Sequence, residues 1–164
     1  MRAVTCRVDR ASVTVDNRVV GRVEKGLLVY VGVMTGDTSE DSRWVADKLA
    51  ALRIFNDEAG KMNLSVRYVA GGLLLIPNFT LAGRTKKGTR PSFSDAAGPE
   101  SAQPLFNELA SLCRNLVPTQ TGLFGAHMLI DSLSNGPVTL TLDSRRDQLT
   151  PTESHLDSPG QRPG

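Results

Sequence analysis

The opening third of the chain alternates. Ala3, Thr5 and Arg7 fall on one face of an extended segment and Val4, Cys6 and Val8 on the other, and the same period of two returns at Ser12-Val13-Thr14-Val15. Asp16-Asn17 has turn composition, Val19-Val20 resumes the strand, and Gly26 to Val33 is continuously apolar, as strands buried on both faces are. Together these predict an antiparallel meander. Thr38 and Asp41 then stand at capping-box spacing, with acids in the first turn, ahead of a helix expected to reach about Leu52; Trp44, Val45, Leu49 and Leu52 form its apolar stripe. Arg53-Ile54-Phe55 reads as a short strand leading to a polar turn at Asn56 to Lys61, and Gly71 to Ile76 as a buried strand. Leu105, Phe106, Leu109, Leu112, Cys113 and Leu116 mark the core face of a second helix. Because Pro104 would cost roughly 3 kcal/mol inside a helix, its regular part is expected to begin near Gln103 or Pro104. Two strands are predicted last, Phe124 to Ser132 and Val138 to Asp143. Between them lies Asn135-Gly136-Pro137, a stiff corner that reads either as a hairpin turn or as a backbone probe offered to a ligand.

Composition narrows the picture little. A chain of 164 residues with 40% hydrophobic content suffices for one core, and a formal charge of +2 leaves any polyanion-binding surface to local clustering. Cys6 and Cys113 imply neither a disulfide framework nor, with His127 and His155, a metal site, so no metal and no cofactor are expected. The start lacks a secretory apolar region and the longest apolar run is too short to span a bilayer, which makes the cytoplasm the default and excludes a membrane partner. Arg145 to Gly164, almost without apolar residues, is expected to be a disordered tail beyond a folded domain at 1–144.

Candidate chemistry concentrates at few places. Arg84-Thr85-Lys86-Lys87-Gly88-Thr89-Arg90 carries four cations in seven residues without an acid, either a solvated face or, through Arg84, Lys86, Lys87 and Arg90, a grip on phosphates. Arg7, a charge inside a strand, is either solvent-facing or paired. His127 has no acid or nucleophile recognisable beside it, so no catalytic triad is in view.

Four segments in order, Asn78-Phe79-Thr80-Leu81, Lys87-Gly88-Thr89-Arg90-Pro91-Ser92-Phe93-Ser94, Thr121-Gly122-Leu123-Phe124-Gly125-Ala126 and Asn135-Gly136-Pro137-Val138-Thr139, resemble the D-aminoacyl-tRNA deacylase (D-tyrosyl-tRNA deacylase) family, over Met1 to about Ser144. The resemblance implies an α/β fold: a single domain of mixed, largely antiparallel β-sheet in barrel-like layers, with two main helices packed on it, and a homodimer. It implies an esterase that releases D-amino acids, and glycine mischarged on tRNA for alanine, from the 3′ end of aminoacyl-tRNA. The 2′-hydroxyl of the terminal adenosine would assist attack, and the amides of Phe79 and Thr80 would steady the carbonyl oxygen. Gly136 and Pro137, joined by a cis peptide and anchored by Arg7, would reach from one subunit into the other's site and exclude L side chains. Asn78, Phe124 and Met128 would contribute to substrate binding. One departure is visible: Pro77-Asn78 stands where the family usually has Ser-Gln, which removes a hydroxyl and a backbone donor and shortens the amide side chain. A catalytically impaired module that binds tRNA ends or nucleotides is the competing reading, and a structural protein reusing the scaffold is a third.

Overall fold

The strand Arg2–Val15 (β1) is the spine, flanked along its length on both edges. In a computed structural model, which describes residues 1–86 and 88–148, one edge of β1 pairs antiparallel first with Gly26–Gly32 (β3) and farther along with Arg18–Val23 (β2), while the other edge is taken by Leu129–Asp143 (β8). The expected meander is thus corrected: β2 and β3 are successive halves of one long return strand, bent at Glu24-Lys25, and both pair with β1. The turn at Asp16-Asn17 holds, and both residues take positive φ, 48° and 61°, a region Asn and Asp tolerate better than most.

Gly72–Pro77 (β6) lies parallel to β3, and Thr119–Thr121 (β7) lies parallel to β6, so the sheet is mixed. Its far edges curl toward each other, and the Arg22 amide donates to Gln120 Oε1 at 2.9 Å between β2 and β7. Gly21 permits that approach, since a Cβ there would sit 2.8 Å from the Thr121 carbonyl oxygen. The result is a nearly closed, barrel-like sheet. Alternation along β3 and β6 then builds two cores: Leu27, Val29, Val31, Leu73 and Leu75 face the helices, while Leu28, Leu74 and Ile76 face Val8, Val13 and Val23 inside the curl.

The helices cover one face. Ser39–Ala51 (α1) starts with the anticipated capping box, in which Thr38 accepts from the helix amides and the Asp41 carboxylate accepts from the Thr38 amide at 2.8 Å. Pro99–Arg114 (α2) starts earlier than expected, with Pro99 in the first turn and Pro104 inside the helix. The physical reason is local: Pro104 and Glu100 are both exposed, so the Glu100 carbonyl that loses its intrahelical donor turns to water. Arg53–Asn56 (β4) and Met62–Ser65 (β5) form a separate two-stranded ribbon.

The predicted pair of closing strands is one strand. β8 runs unbroken past Gly136-Pro137, so of the two readings of that corner the hairpin turn falls away; the ladder passes from Cys6 opposite Thr139 to Val8 opposite Ser134, and Asn135 to Val138 bulge out facing Arg7. Backbone pairing with β1 overrides the local turn chemistry. The ordered chain also continues beyond Ser144 as a short helix, Ser144–Asp147 (α3), where a tail was expected; residues 149–164 lie outside the described residues. What holds α3 is polar. The Met1 ammonium donates to Ser144 Oγ at 2.6 Å and lies 2.8 Å from the buried Asp37 carboxylate, Ser144 donates to Asp41, and Arg145 reaches Asp37 at 3.0 Å.

Candidate active site

Where β6 stops, the chain makes a single 3-10 turn, Phe79–Ala82. Asn78 fixes its entry: its amide donates to the Val31 carbonyl at 2.7 Å, which ties the turn to β3, and its Oδ1 accepts both the Thr80 amide, at 3.1 Å, and the Thr80 hydroxyl, at 2.5 Å. One oxygen therefore holds two donors of Thr80. The Phe79 amide opens the turn, a position at which an N–H has no intrahelical acceptor.

Beside this turn is a largely apolar cleft of about 360 Å³, lined by Val31, Val33, Asn78, Phe79, Ala97 and Phe124 among others. Phe124 forms a wall and leans on Phe106 of α2 with ring centroids 6.3 Å apart, so the second helix positions it. Phe79 presents its ring outward, 60% exposed, and meets Phe93 edge-to-face at 5.2 Å. Of the substrate-binding residues expected from sequence, Asn78 and Phe124 come together here, beside Phe79, whose amide was expected to steady the carbonyl oxygen. Met128 does not: it packs against the inner core of the curled sheet. Gly136 and Pro137 do not line the cleft within one chain.

The bulge carrying them is firmly held. Arg7, 8% exposed, donates through Nε to the Asn135 carbonyl at 3.0 Å and through a terminal nitrogen to the Ile54 carbonyl at 2.5 Å, and Asn135 donates to Asp9 at 2.7 Å. The charge inside β1 is therefore paired with backbone oxygens rather than solvent-facing. The Gly136-Pro137 peptide is cis, and Gly136 has φ of 150°.

Of the basic loop, Arg84 is paired with Asp95 and bridged to Ser92 through its backbone, whereas Lys86 and Arg90 are exposed; Lys87 lies outside the described residues. His127 is exposed in the loop before β8 rather than in a strand. Cys113 is no nucleophile, since burial pushes its thiol up to about 12. Sequence reasoning missed Phe93, Ala96, Ala97 and Gly125 as site residues, although Phe93 and Gly125 stood within segments that carried the resemblance.

The sequence model described as D-Tyr-tRNA(Tyr) deacylase matches residues 4–143. The chain belongs to the D-Tyr-tRNA(Tyr) deacylase family. A D-aminoacyl-tRNA deacylase of Clostridium perfringens is 49% identical over 148 residues, covering 90% of this chain and 99% of that protein. One of Anaeromyxobacter dehalogenans is 52% identical over 147 residues, covering 89% and 99%. Among solved structures, the c-Myc DNA Unwinding Element Binding Protein superposes with a TM-score of 0.83 at 33% identity, over 87% of this chain and 98% of that one. The family match ends at Asp143, immediately before α3.

Proposed function

We infer that the chain, through a catalytic domain at residues 1–144, is a D-aminoacyl-tRNA deacylase, a hydrolase that cleaves the ester between a D-amino acid and the 3′ end of tRNA. The observation that carries this is the combination of a family match over nearly the whole described chain with an intact apolar cleft at the amide-bearing turn. Neither Cys113, held protonated, nor His127, in the loop before β8, is suited to supply a nucleophile or base to this cleft. Water is the nucleophile: the 2′-hydroxyl of the terminal adenosine assists its attack on the ester carbon, the 3′-oxygen leaves with a proton, and the protein contributes position and a donor for the oxyanion. Of the two amides assigned that task from sequence, Thr80's is engaged by Asn78, so the Phe79 amide is the donor and Thr80 is a positioning residue.

Chirality is read by exclusion. Arg7 holds the Asn135 carbonyl, and with it the bulge at Gly136-Pro137, as a main-chain wedge that enters the cleft of a second subunit and occupies the space of an L side chain. Glycine, having no side chain, passes the same filter, which makes glycine mischarged on tRNA for alanine a second substrate. The homodimer is a requirement of this reading, because within one chain the wedge lies outside the cleft. Lys86, Lys87 and Arg90, with Arg84, contact tRNA phosphates, and a tRNA substrate places the enzyme in the cytoplasm.

A second reading is favoured by one feature: with Pro77-Asn78, the Thr80 amide is satisfied internally, which suits a module that binds a tRNA end without cleaving it. Incubation with D-tyrosyl-tRNA and L-tyrosyl-tRNA separates the two. Release of tyrosine from the D form alone is expected; binding without release of either would replace the enzyme by the binding module.

A further inference from the structure

Next to the apolar cleft lies a larger one, of about 540 Å³, whose walls carry Arg2, Arg84, Arg145 and Arg146. Three stretches of chain pass from one cleft to the other: Val33 to Met34-Thr35, Phe79 to Arg84, and Ala97-Ala96 to Asp95-Ser94. The two clefts are therefore neighbours that share a wall. We propose that this arginine-lined cleft seats the phosphates of the RNA strand leading to the terminal adenosine, which assigns Arg2, Arg145 and Arg146 to polyanion binding. The proposal rests on the deacylase reading for which end of the RNA lies in the apolar cleft.

The arginines are preset for the purpose. Each is oriented by a carboxylate that uses only part of its fork: Arg2 bonds Asp143 through Nε at 2.9 Å, Arg84 bonds Asp95 through Nε, Arg145 reaches Asp37 through one terminal nitrogen, and Arg146 is held by Asp147 next to it. A guanidinium has five N–H donors, so outward donors remain on all four. Their side chains are 41%, 66%, 52% and 64% exposed, as a surface for a polyanion must be. The four partner carboxylates, of which Asp95 and Asp143 also line the cleft, balance the four arginines, and the surplus positive charge comes from Lys86 and Arg90 on the adjoining loop, exposed and without ion pairs among the described residues. Such a site binds a phosphate chain through many shared donors and is sensitive to salt. Arg145 and Arg146 stand on α3, just beyond residue 143, where the match to the family model ends.

The test uses the full chain and two probes: D-tyrosine amide-linked to 3′-amino-adenosine, and the same group ending a short single-stranded RNA. The wild-type chain is expected to bind the RNA probe more tightly than the nucleoside, with an advantage that falls with salt at a log–log slope of about −0.7 for each phosphate held. Arg145→Gln/Arg146→Gln should reduce that advantage on the order of tenfold, make the slope shallower by about 1.4, and leave nucleoside affinity unchanged. If the double variant melts earlier because Arg145 also fastens α3, Arg146→Gln alone decides, since among the described residues its guanidinium bonds only Asp147. A wild-type chain that binds RNA no better than nucleoside overturns the proposal, as do variants with an unaltered RNA advantage and slope, or with RNA and nucleoside affinities falling together. Release of D-tyrosine from D-tyrosyl-tRNA by the wild-type chain is read separately. Its failure would sink the deacylase reading while the salt slope still reports on the cleft.

Discussion

Asn78 binds the Thr80 amide and hydroxyl with a single oxygen, so the geometry of the turn depends on one short amide side chain. Removing it should loosen the turn rather than the fold. Asn78→Ala is expected to cost about 1 kcal/mol as a lost cap, and to lower kcat on the order of tenfold with a smaller change in KM, because the Phe79 amide is held in place through that turn. Single-turnover hydrolysis of D-tyrosyl-tRNA measures it, and an unchanged kcat would remove Asn78 from the site. Thr80→Ser keeps the hydroxyl and should retain activity where Asn78→Ala does not. At this scale the sequence was a good guide to identity and a poorer one to use. Asn78, Phe79 and Phe124 meet as expected, but no local pattern told that Thr80's amide would be consumed by its own neighbour, or that Met128 would turn to the inner core. The first is a cap that forms only where the chain turns at the end of β6, and the second is a contact made only once the loop before β8 is packed.

Elements were legible where periodicity and caps spoke for them. α1, with its capping box, and β6, with its apolar run, lie close to where the residues put them. Pro104 misled because its penalty is real yet small enough for the α2 face, Ala102, Phe106, Leu109 and Cys113, to override. Pro104→Ala should therefore stabilise the protein by about 1–2 kcal/mol, the regained Glu100 bond being offset in part by a freer unfolded chain. A thermal melt with no upward shift would mean the helix gives up nothing at Pro104. At Gly136-Pro137 the residues left two readings open for a different reason: a turn dipeptide is also what a bulge needs, and only the register with β1 distinguishes them. The start of α1 adds a pH dependence. Burial alone would raise the Asp41 pKa, but hydrogen bonds from Ser144 and from the Thr38 amide and hydroxyl, with the N-terminal ammonium, outweigh it and hold the carboxylate below its ordinary range. A depressed carboxylate stabilises the fold above the unfolded value, about 3.9, and that stability is lost as pH falls through the folded one. Acid denaturation of Asp41→Asn should accordingly begin from a lower stability at neutral pH and fall less steeply below about pH 4.

Taken as a whole molecule, the chain leaves its longest strand uncovered. Among the described residues β8 is paired on one edge only, and Leu129, Leu133 and Leu140 are 62%, 44% and 38% exposed along it, a composition that a lone edge strand avoids and a subunit interface uses. Leu133→Glu should yield a monomer in sedimentation, and that monomer should lose discrimination between D- and L-tyrosyl-tRNA if the wedge acts across subunits. The stricter test mixes two defective chains. Gly136→Ala places a Cβ 2.3 Å from the Val138 amide nitrogen and at a φ that disfavours it, so the wedge is deformed while the cleft is left alone; its homodimer should release L-tyrosine. Asn78→Ala has a damaged turn and an intact wedge. In a mixed dimer the sound cleft of the first chain faces the sound wedge of the second, and excess Asn78→Ala chain should suppress release from L-tyrosyl-tRNA while release from D-tyrosyl-tRNA persists. If each wedge instead served its own chain's cleft, mixing would leave the L-specific release of the Gly136→Ala chain untouched, and the requirement for a dimer would fall with it.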